Sequence, residues 1–237
     1  SVYKCGAEVE KMSKSKFNVV SPDLIVENYG ADTLRMYEMF LGPLEQFKPW
    51  NTNGISGVNN FLRKLWRLFH DADGNFSVSD GTPSKDALKI LHKTINKVAE
   101  DIENFSFNTT VSTFMVCVNE LTAQKCNNRS VLEPLVILIS SYAPHIAEEL
   151  WEQLGHTDGV TYQDFPAFDA SYLVESSHMY PVSFNGKMRF KVEYALDMDK
   201  SEIEKQILVH EKAVHYLAGK TPKKVIVVPK KIINIVV

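Results

Sequence analysis

The sequence predicts a mainly α-helical protein that ends in a small α+β domain. Between residues 55 and 155, apolar side chains recur every three or four positions, which is the period of helices that bury one face. After residue 177 the pattern changes to short β-type runs, two of which are joined by Asn185-Gly186. Short connections between the helical segments favour an antiparallel arrangement. We therefore predict an antiparallel helical bundle followed by a β-β-α-β-β domain.

Two short helices are predicted ahead of the bundle. Ser21 and Pro22 suit the N-cap and the first position of a helix. The segment from Gly30 predicts a second helix, which Gly42-Pro43 closes. The residues that follow, up to residue 54, predict a loop.

Five helices are predicted in the bundle itself, separated by loops rich in Gly, Asp and Ser. They are expected over residues 55–71, from Lys85, from an N-cap at Asn108, from Val131 to Tyr142, and from Pro144 to Gly155. Residues 157–177 show no sustained period and are predicted to be a linker.

The C-terminal segment predicts four strands and one helix. The strands are "YPVSF", "KMRFKVEY", "KKVIVVP" and "IINIVV". Asp199 and Glu202 form a capping pattern for a single helix that carries Val214 and Leu217 on its apolar face and closes at Gly219. These patterns divide the chain into residues 1–50, 51–156, 157–177 and 178–237.

The composition bounds the class of protein. An apolar fraction of 44% in 237 residues supports a sizeable core, and no apolar run approaches the length needed to cross a bilayer. Cys5, Cys117 and Cys126 show no metal-ligand spacing and fit reduced thiols in a cytoplasmic protein. The chain starts without Met or an apolar leader, so we expect it to be a portion of a longer protein.

Charge is distributed unevenly along the chain. The net charge is −3, yet residues 178–237 hold eleven Lys and Arg against six Asp and Glu. Lys187, Arg189 and Lys191 alternate along one predicted strand, which would place them on one face. Lys223 and Lys224 lie in a neighbouring segment. A basic domain on an acidic body indicates a polyanionic partner for that domain.

A lysine-rich run near the N-terminus is the strongest candidate for a site. In "EVEKMSKSKFNVVSPD", Lys11, Lys14 and Lys16 surround Ser13 and Ser15. The run is too polar to enter a core. It is either a solvated surface loop, as most short lysine-rich runs are, or a loop that binds phosphate.

The run Lys11-Met12-Ser13-Lys14-Ser15 is identical to the signature loop of the class I aminoacyl-tRNA synthetases. "PLEQFKPW", "PHIAEELW", "NGKMRFKV" and "KKVIVVP" resemble the bacterial leucyl-tRNA synthetases. The resemblance implies a C-terminal fragment of such an enzyme. Residues 1–50 would end the catalytic domain, residues 51–156 would form an anticodon-binding-domain-like bundle, and residues 178–237 would be a tRNA-binding domain.

The same resemblance implies the ATP-dependent attachment of leucine to its tRNA. The signature loop (Lys11–Ser15) would bind ATP through Lys11, Met12, Ser13, Lys14 and Ser15, with Lys11 and Lys14 as the catalytic residues. Cations placed where pyrophosphate departs stabilise the transition state more than the ground state. ATP with Mg would be a substrate of the complete enzyme, whereas this portion would hold no metal or cofactor and would be inactive alone.

Leucine tRNA is the partner that the resemblance implies, for a monomeric, cytoplasmic enzyme with no membrane contact. The basic residues expected to contact tRNA are Arg63, Arg67, Lys89, Lys93, Lys187, Arg189, Lys191, Lys223 and Lys224. For those in the bundle, a solvated face is an equal alternative. A stand-alone RNA- or protein-binding module derived from a synthetase, and an isoleucyl or valyl enzyme, are the alternative functions.

Overall fold

The computed structural model describes residue 6, residues 9–174 and residues 177–237. The chain divides into two compact units, of which the first ends at Leu173 and the second begins at Val174. Cys5, one of the three predicted reduced cysteines, lies outside the described residues.

Two short helices precede the bundle, as predicted: α1 (Pro22–Tyr29) and α2 (Ala31–Phe40). Pro22 opens α1 with Ser21 at the N-cap position. Gly30 separates the two helices with a φ of 88°, a conformation that residues with a side chain rarely adopt. The chain can therefore leave α1 and start α2 within one residue.

Five further helices form the bundle and confirm the predicted number. They are α3 (Ile55–Phe69), α4 (Lys85–Glu103), α5 (Phe107–Ala123), α6 (Arg129–Ser140) and α7 (Pro144–Gln153). The predicted N-cap of α5 at Asn108 is wrong by two residues, since the helix begins at Phe107 and Ser106 is its N-cap. Phe105, with a φ of 54°, turns the chain sharply between α4 and α5.

One apolar core joins these seven helices. Its fully buried side chains include Phe69 from α3, Phe114 from α5, Leu135 from α6 and Leu150 from α7. Each of these residues lies on the periodic apolar face of its helix, so the periodicity of the sequence accounts for the packing.

The segment after α7 also lies against the first unit. It contains two short 3₁₀ helices, Val160–Tyr162 and Ala170–Leu173. Tyr172 stacks on His92 of α4 with ring centres 4.4 Å apart. The backbone N–H of Asp169 donates to Nδ1 of the same histidine at 3.2 Å.

The second unit is a four-stranded sheet with two helices. Its elements are β1 (Ser177–Phe184), β2 (Lys187–Ala195), α8 (Lys200–Val209), α9 (Glu211–Leu217), β3 (Lys224–Val228) and β4 (Ile232–Val236). The strand order is β2-β1-β4-β3, in which β1 and β4 are parallel and the other pairs antiparallel. The predicted turn is confirmed, because both Asn185 and Gly186 have positive φ, at 48° and 82°.

The prediction of a single helix between β2 and β3 is wrong. His210 is extended, with φ −66° and ψ 129°, and separates α8 from α9. Its ring Nδ1 accepts the backbone N–H of Lys212 at 3.2 Å and so caps α9. The interruption rotates α9, so that Ala213 is buried and Val214, predicted to face the core, is 52% exposed.

Within the described residues, no helix is both long and apolar enough to cross a membrane.

Candidate functional site

The signature loop is held by local hydrogen bonds. Lys14–Lys16 form one turn of 3₁₀ helix, and Phe17 ends the turn in the left-handed region with a φ of 53°. Asn18 closes the loop from the other side. Its Oδ1 accepts the backbone N–H of Ser13 at 2.9 Å, and its Nδ2 donates to the carbonyl oxygen of Lys11 at 3.4 Å. The two ends of the loop are thereby kept together.

The hydroxyl groups of the loop lie side by side. The Oγ atoms of Ser13 and Ser15 are 3.2 Å apart, within hydrogen-bond distance. Both hydroxyls are close to the surface, since Ser15 is exposed and Ser13 is half-buried. They can therefore donate to an anion that approaches the loop.

The three lysines of the run differ in their ionic partners. Lys16 forms an ion pair with Glu10, with Nζ and Oε2 3.0 Å apart. Lys11 and Lys14 are exposed and make no ion pair with any residue in the described part of the chain. Two ammonium groups that pair with no carboxylate of the described residues, beside two hydroxyls, are suited to bind a polyphosphate.

Sequence reasoning missed Glu10 and Asn18. Glu10 stands six residues before the lysine that it pairs with, and Asn18 stands three residues after the loop. An asparagine next to a tight turn is a common means of bonding to nearby backbone groups, and this was the available signal.

The candidate cations of the bundle lie on different helices. Arg63 and Arg67 are exposed on α3. On α4, Lys93 is exposed and Lys89 is half-buried. The neighbouring Lys97 donates to the buried carboxylate of Asp101 at 2.7 Å, so its ammonium already has a partner. The lysines of α4 thus differ in their surroundings and do not form a uniformly solvated face.

The tail cations do not share one face, and that prediction is wrong. A β-bulge interrupts the pairing of β1 with β2 between Val182 and Ser183. Lys191 pairs with Pro181, whereas Lys187 pairs with Phe184 of the buried face. The extra residue in β2 reverses the alternation, so Lys187 and Lys191 point to opposite faces.

Arg189 occupies the bulge and has a partner in a helix. Its guanidinium carbon lies 5.3 Å from the centre of the Tyr216 ring of α9. Lys223 and Lys224 are exposed at the start of β3, which is the opposite edge of the sheet from β2. The candidate cations of the second unit are therefore divided between the two edges of the sheet.

The histidine in the first turn of α7 and the two described cysteines have structural environments. His145 opens α7, and its ring Nδ1 lies 2.8 Å from Oδ1 of Asp32. Cys117 is buried in α5, where burial raises the pKa of its thiol to about 12. Cys126 is also buried and lies beyond the end of α5. Among the described residues, no group of three or more His, Cys, Asp or Glu side chains could hold a metal ion.

Two family models match the chain. The anticodon-binding domain of tRNA ligase matches residues 84–205, which is more than half of the chain. The class I tRNA synthetases for isoleucine, leucine, methionine and valine match residues 5–46, which include the signature loop, α1 and α2.

Curated relatives match over the whole length of the chain. The chain is 67% identical over 234 residues to a leucine–tRNA ligase of Christiangramia forsetii, covering 99% of this chain and 24% of that protein. It is 64% identical over 236 residues to a leucine–tRNA ligase of Cytophaga hutchinsonii, covering 100% of this chain and 26% of that protein. The chain thus spans about a quarter of the length of these relatives.

A solved structure shares the fold. It is a ternary complex of the Agrobacterium radiobacter K84 agnB2 LeuRS with tRNA and LeuAMS. The likeness covers 95% of this chain and 31% of that one, with a TM-score of 0.62 and 28% sequence identity. On these matches, the chain belongs to the anticodon-binding domain family of the tRNA ligases, and its sequence is similar to about a quarter of each of these leucine–tRNA ligases.

Proposed function

We propose that this chain supplies the phosphate-binding loop and the tRNA-binding parts of an enzyme that attaches leucine to its tRNA at the expense of ATP. The observation that carries the proposal is a pair of ammonium groups, Lys11 and Lys14, which form no ion pair within the described residues and lie in the signature loop of a chain 67% identical to a leucine–tRNA ligase. On this proposal the chain alone does not activate leucine, because it spans about a quarter of such enzymes.

The chemistry of the loop follows from its charges. When the carboxylate of leucine attacks the α-phosphate of ATP, negative charge builds on the departing pyrophosphate. Lys11 and Lys14 would neutralise that charge, and the hydroxyls of Ser13 and Ser15 would donate to phosphate oxygens. Met12 contributes backbone to the same loop. The Mg that accompanies ATP would be held by the nucleotide and by parts of the enzyme outside the described residues.

The tRNA-binding role rests on the bundle and the second unit. The anticodon-binding family model covers residues 84–205, and the similar solved structure contains tRNA. Phosphates of tRNA would contact exposed cations on α3 and α4 and on both edges of the tail sheet. The proposed contacts are Arg63, Arg67, Lys89, Lys93, Lys187, Arg189, Lys191, Lys223 and Lys224. We place the monomeric enzyme in the cytoplasm, which suits the free thiols of Cys117 and Cys126.

A substitution in the loop tests the proposal in a complete leucine–tRNA ligase that contains this chain. Lys14→Ala is expected to slow leucine-dependent ATP–pyrophosphate exchange by a factor of about 10² through the lost phosphate contact. The KM for leucine should hardly change, since the loop would contact phosphate rather than leucine.

Lys16→Ala is the matched control, because Lys16 lies in the same turn but already pairs with Glu10. It should slow exchange far less than Lys14→Ala does. Equal rates for the two variants would show that the loop is only a charged surface turn. Charging with isoleucine or valine in place of leucine would contradict the proposed amino-acid specificity.

A further inference from the structure

Asp32 of α2 binds the first turn of α7, from which it is separated by more than a hundred residues. Its Oδ2 accepts the backbone N–H of Ile146 at 2.7 Å, and its Oδ1 accepts that of His145 at 3.2 Å. The ring Nδ1 of His145 adds a third contact to Oδ1 at 2.8 Å. Asp32 is only 8% exposed, so its carboxylate is largely closed to water, whereas the side chain of His145 remains mostly exposed.

Arg35 makes a parallel contact with the end of α6. Its Nη2 donates to the carbonyl oxygen of Ser141, which is the C-cap of α6, at 3.4 Å. Arg35 stands three positions after Asp32, so both side chains project from the same side of α2. They reach the two helix ends that meet in the corner between α6 and α7.

The signs of the two charges match the helix ends that they contact. The N-terminus of α7 exposes N–H groups and a partial positive charge, which suits the carboxylate of Asp32. The C-terminus of α6 exposes carbonyl oxygens and a partial negative charge, which suits the guanidinium of Arg35. Because reversing either charge would oppose a helix end, the arrangement fixes which face of α2 packs against the corner.

We propose that Asp32 and Arg35 are positioning residues that hold the segment carrying the signature loop in register with the bundle. This inference rests on the proposed function, and we name the pair the α2 clasp. The signature loop lies just ahead of α1 and α2, and the clasp is a polar tie from that segment to the α6–α7 corner. If the bundle holds tRNA, the clasp sets where the tRNA stands relative to the loop.

The proposal predicts that a substitution in the clasp slows tRNA charging by the complete ligase but leaves leucine activation nearly unchanged. Asp32→Asn keeps the size of the side chain but removes its charge and one of the two acceptor oxygens. Charging of tRNA, counted per active site by titration, should slow about 10- to 100-fold, as expected for losing one hydrogen bond to a charged group. ATP–pyrophosphate exchange per active site should stay within about twofold, because it needs no tRNA. Arg35→Gln should also slow tRNA charging more than ATP–pyrophosphate exchange, but by a smaller factor.

Asp23→Asn in the adjacent helix α1 is the matched control. Asp23 is exposed, and its carboxylate accepts from the hydroxyl of Ser21 in its own segment. This variant should charge tRNA at the rate of the unaltered enzyme. If Asp32→Asn lowers exchange and charging by the same factor per active site, or lowers neither, the positioning role is refuted.

A second measurement on the chain itself tests the geometry without catalysis. In Asp32→Asn the backbone amides of His145 and Ile146 should exchange with deuterium about tenfold faster or more, whereas amides in the middle of α6 should not change. Unchanged exchange at these two amides would overturn the clasp. A failure of the clasp is distinguishable from a failure of the proposed function, because Lys14→Ala tests the proposed function by ATP–pyrophosphate exchange alone.

Discussion

Replacing Lys191 and Lys224 with alanine is expected to weaken tRNA binding in two independent steps. Lys191 is on the edge strand β2, and Lys224 is on the opposite edge strand β3. Both project from the sheet face opposite α8 and α9, because their neighbours Phe190 and Val225 belong to the apolar cluster of that unit. If tRNA contacts this face, the two lysines contact different phosphate groups.

The independence follows from the distance between the two lysines. Three strand spacings separate β2 from β3, which is about 14 Å across the sheet. The register places Lys224 about four residues further along the strands, which adds about 13 Å in the other direction. The resulting separation of about 19 Å exceeds the Debye length of about 8 Å at physiological salt. Loss of one charge should therefore leave the contribution of the other unchanged.

The magnitude is set by counterion release. Each phosphate contact makes the slope of log affinity against log salt steeper by about 0.9 in duplex nucleic acid. Each single variant should thus have a slope shallower by about 0.9, and the double variant by about 1.8. When salt is raised from about 50 to 200 mM, the affinity of the unaltered chain for tRNA falls. The affinity of a variant that has lost one phosphate contact should fall by a factor about 3.5-fold smaller.

Fluorescence anisotropy of labelled leucine tRNA, titrated with the chain at several salt concentrations, measures these slopes. Lys205→Ala is the control, since Lys205 is exposed on α8 on the other side of the sheet. If the double variant keeps the slope of the unaltered chain, or if Lys205→Ala changes it as much, the open sheet face is not a phosphate-binding surface.

Two further predictions concern stability and thiol chemistry. Ser84→Ala removes the hydroxyl that accepts the N–H of Ala87 at the start of α4, and should lower the free energy of unfolding by about 1 kcal/mol in urea titrations. Ser112→Ala on the exposed side of α5 should hardly change the free energy of unfolding. An equal decrease in the two variants would argue against a stabilising N-cap at Ser84. At pH 8 the thiol of Cys117 should resist iodoacetamide until the chain is unfolded, because burial raises its pKa to about 12 and leaves almost no thiolate. Rapid labelling of Cys117 in the native chain, mapped by mass spectrometry, would contradict its buried position.

Much of the fold was predictable because its elements are specified locally. The 3.6-residue period of α3 to α7 and the Asn185-Gly186 turn need no distant partner to be recognised. The break at His210 was not predictable in the same way, since a capping box and an apolar period ran across it. There a ring nitrogen provides a cap for the second helix, a role seldom assigned to histidine.

The candidate site was predictable in identity but not in geometry. The resemblance of Lys11–Ser15 to a known loop identified its residues, yet the sequence could not distinguish Lys16, which pairs with Glu10, from Lys14, which forms no ion pair within the described residues. The bulge in β2 adds one residue to a strand, and nothing in the alternation of Lys187, Arg189 and Lys191 marks it. Asp32 was missed because its partners, His145 and Ile146, are distant in the sequence.

The position of β4 in the sheet determines when the second unit can fold. This last strand lies in the middle of the sheet, between β1 and β3, although it is the final element of the described chain to be synthesised. Until Ile232–Val236 leaves the ribosome, β1 keeps an open edge and β3 has no neighbour within the sheet. A deletion that removed only this strand would split the sheet and expose an unpaired edge, which favours aggregation. We therefore expect this unit to fold only after Ile232–Val236 has been synthesised, and at a rate set by its non-local strand pairing.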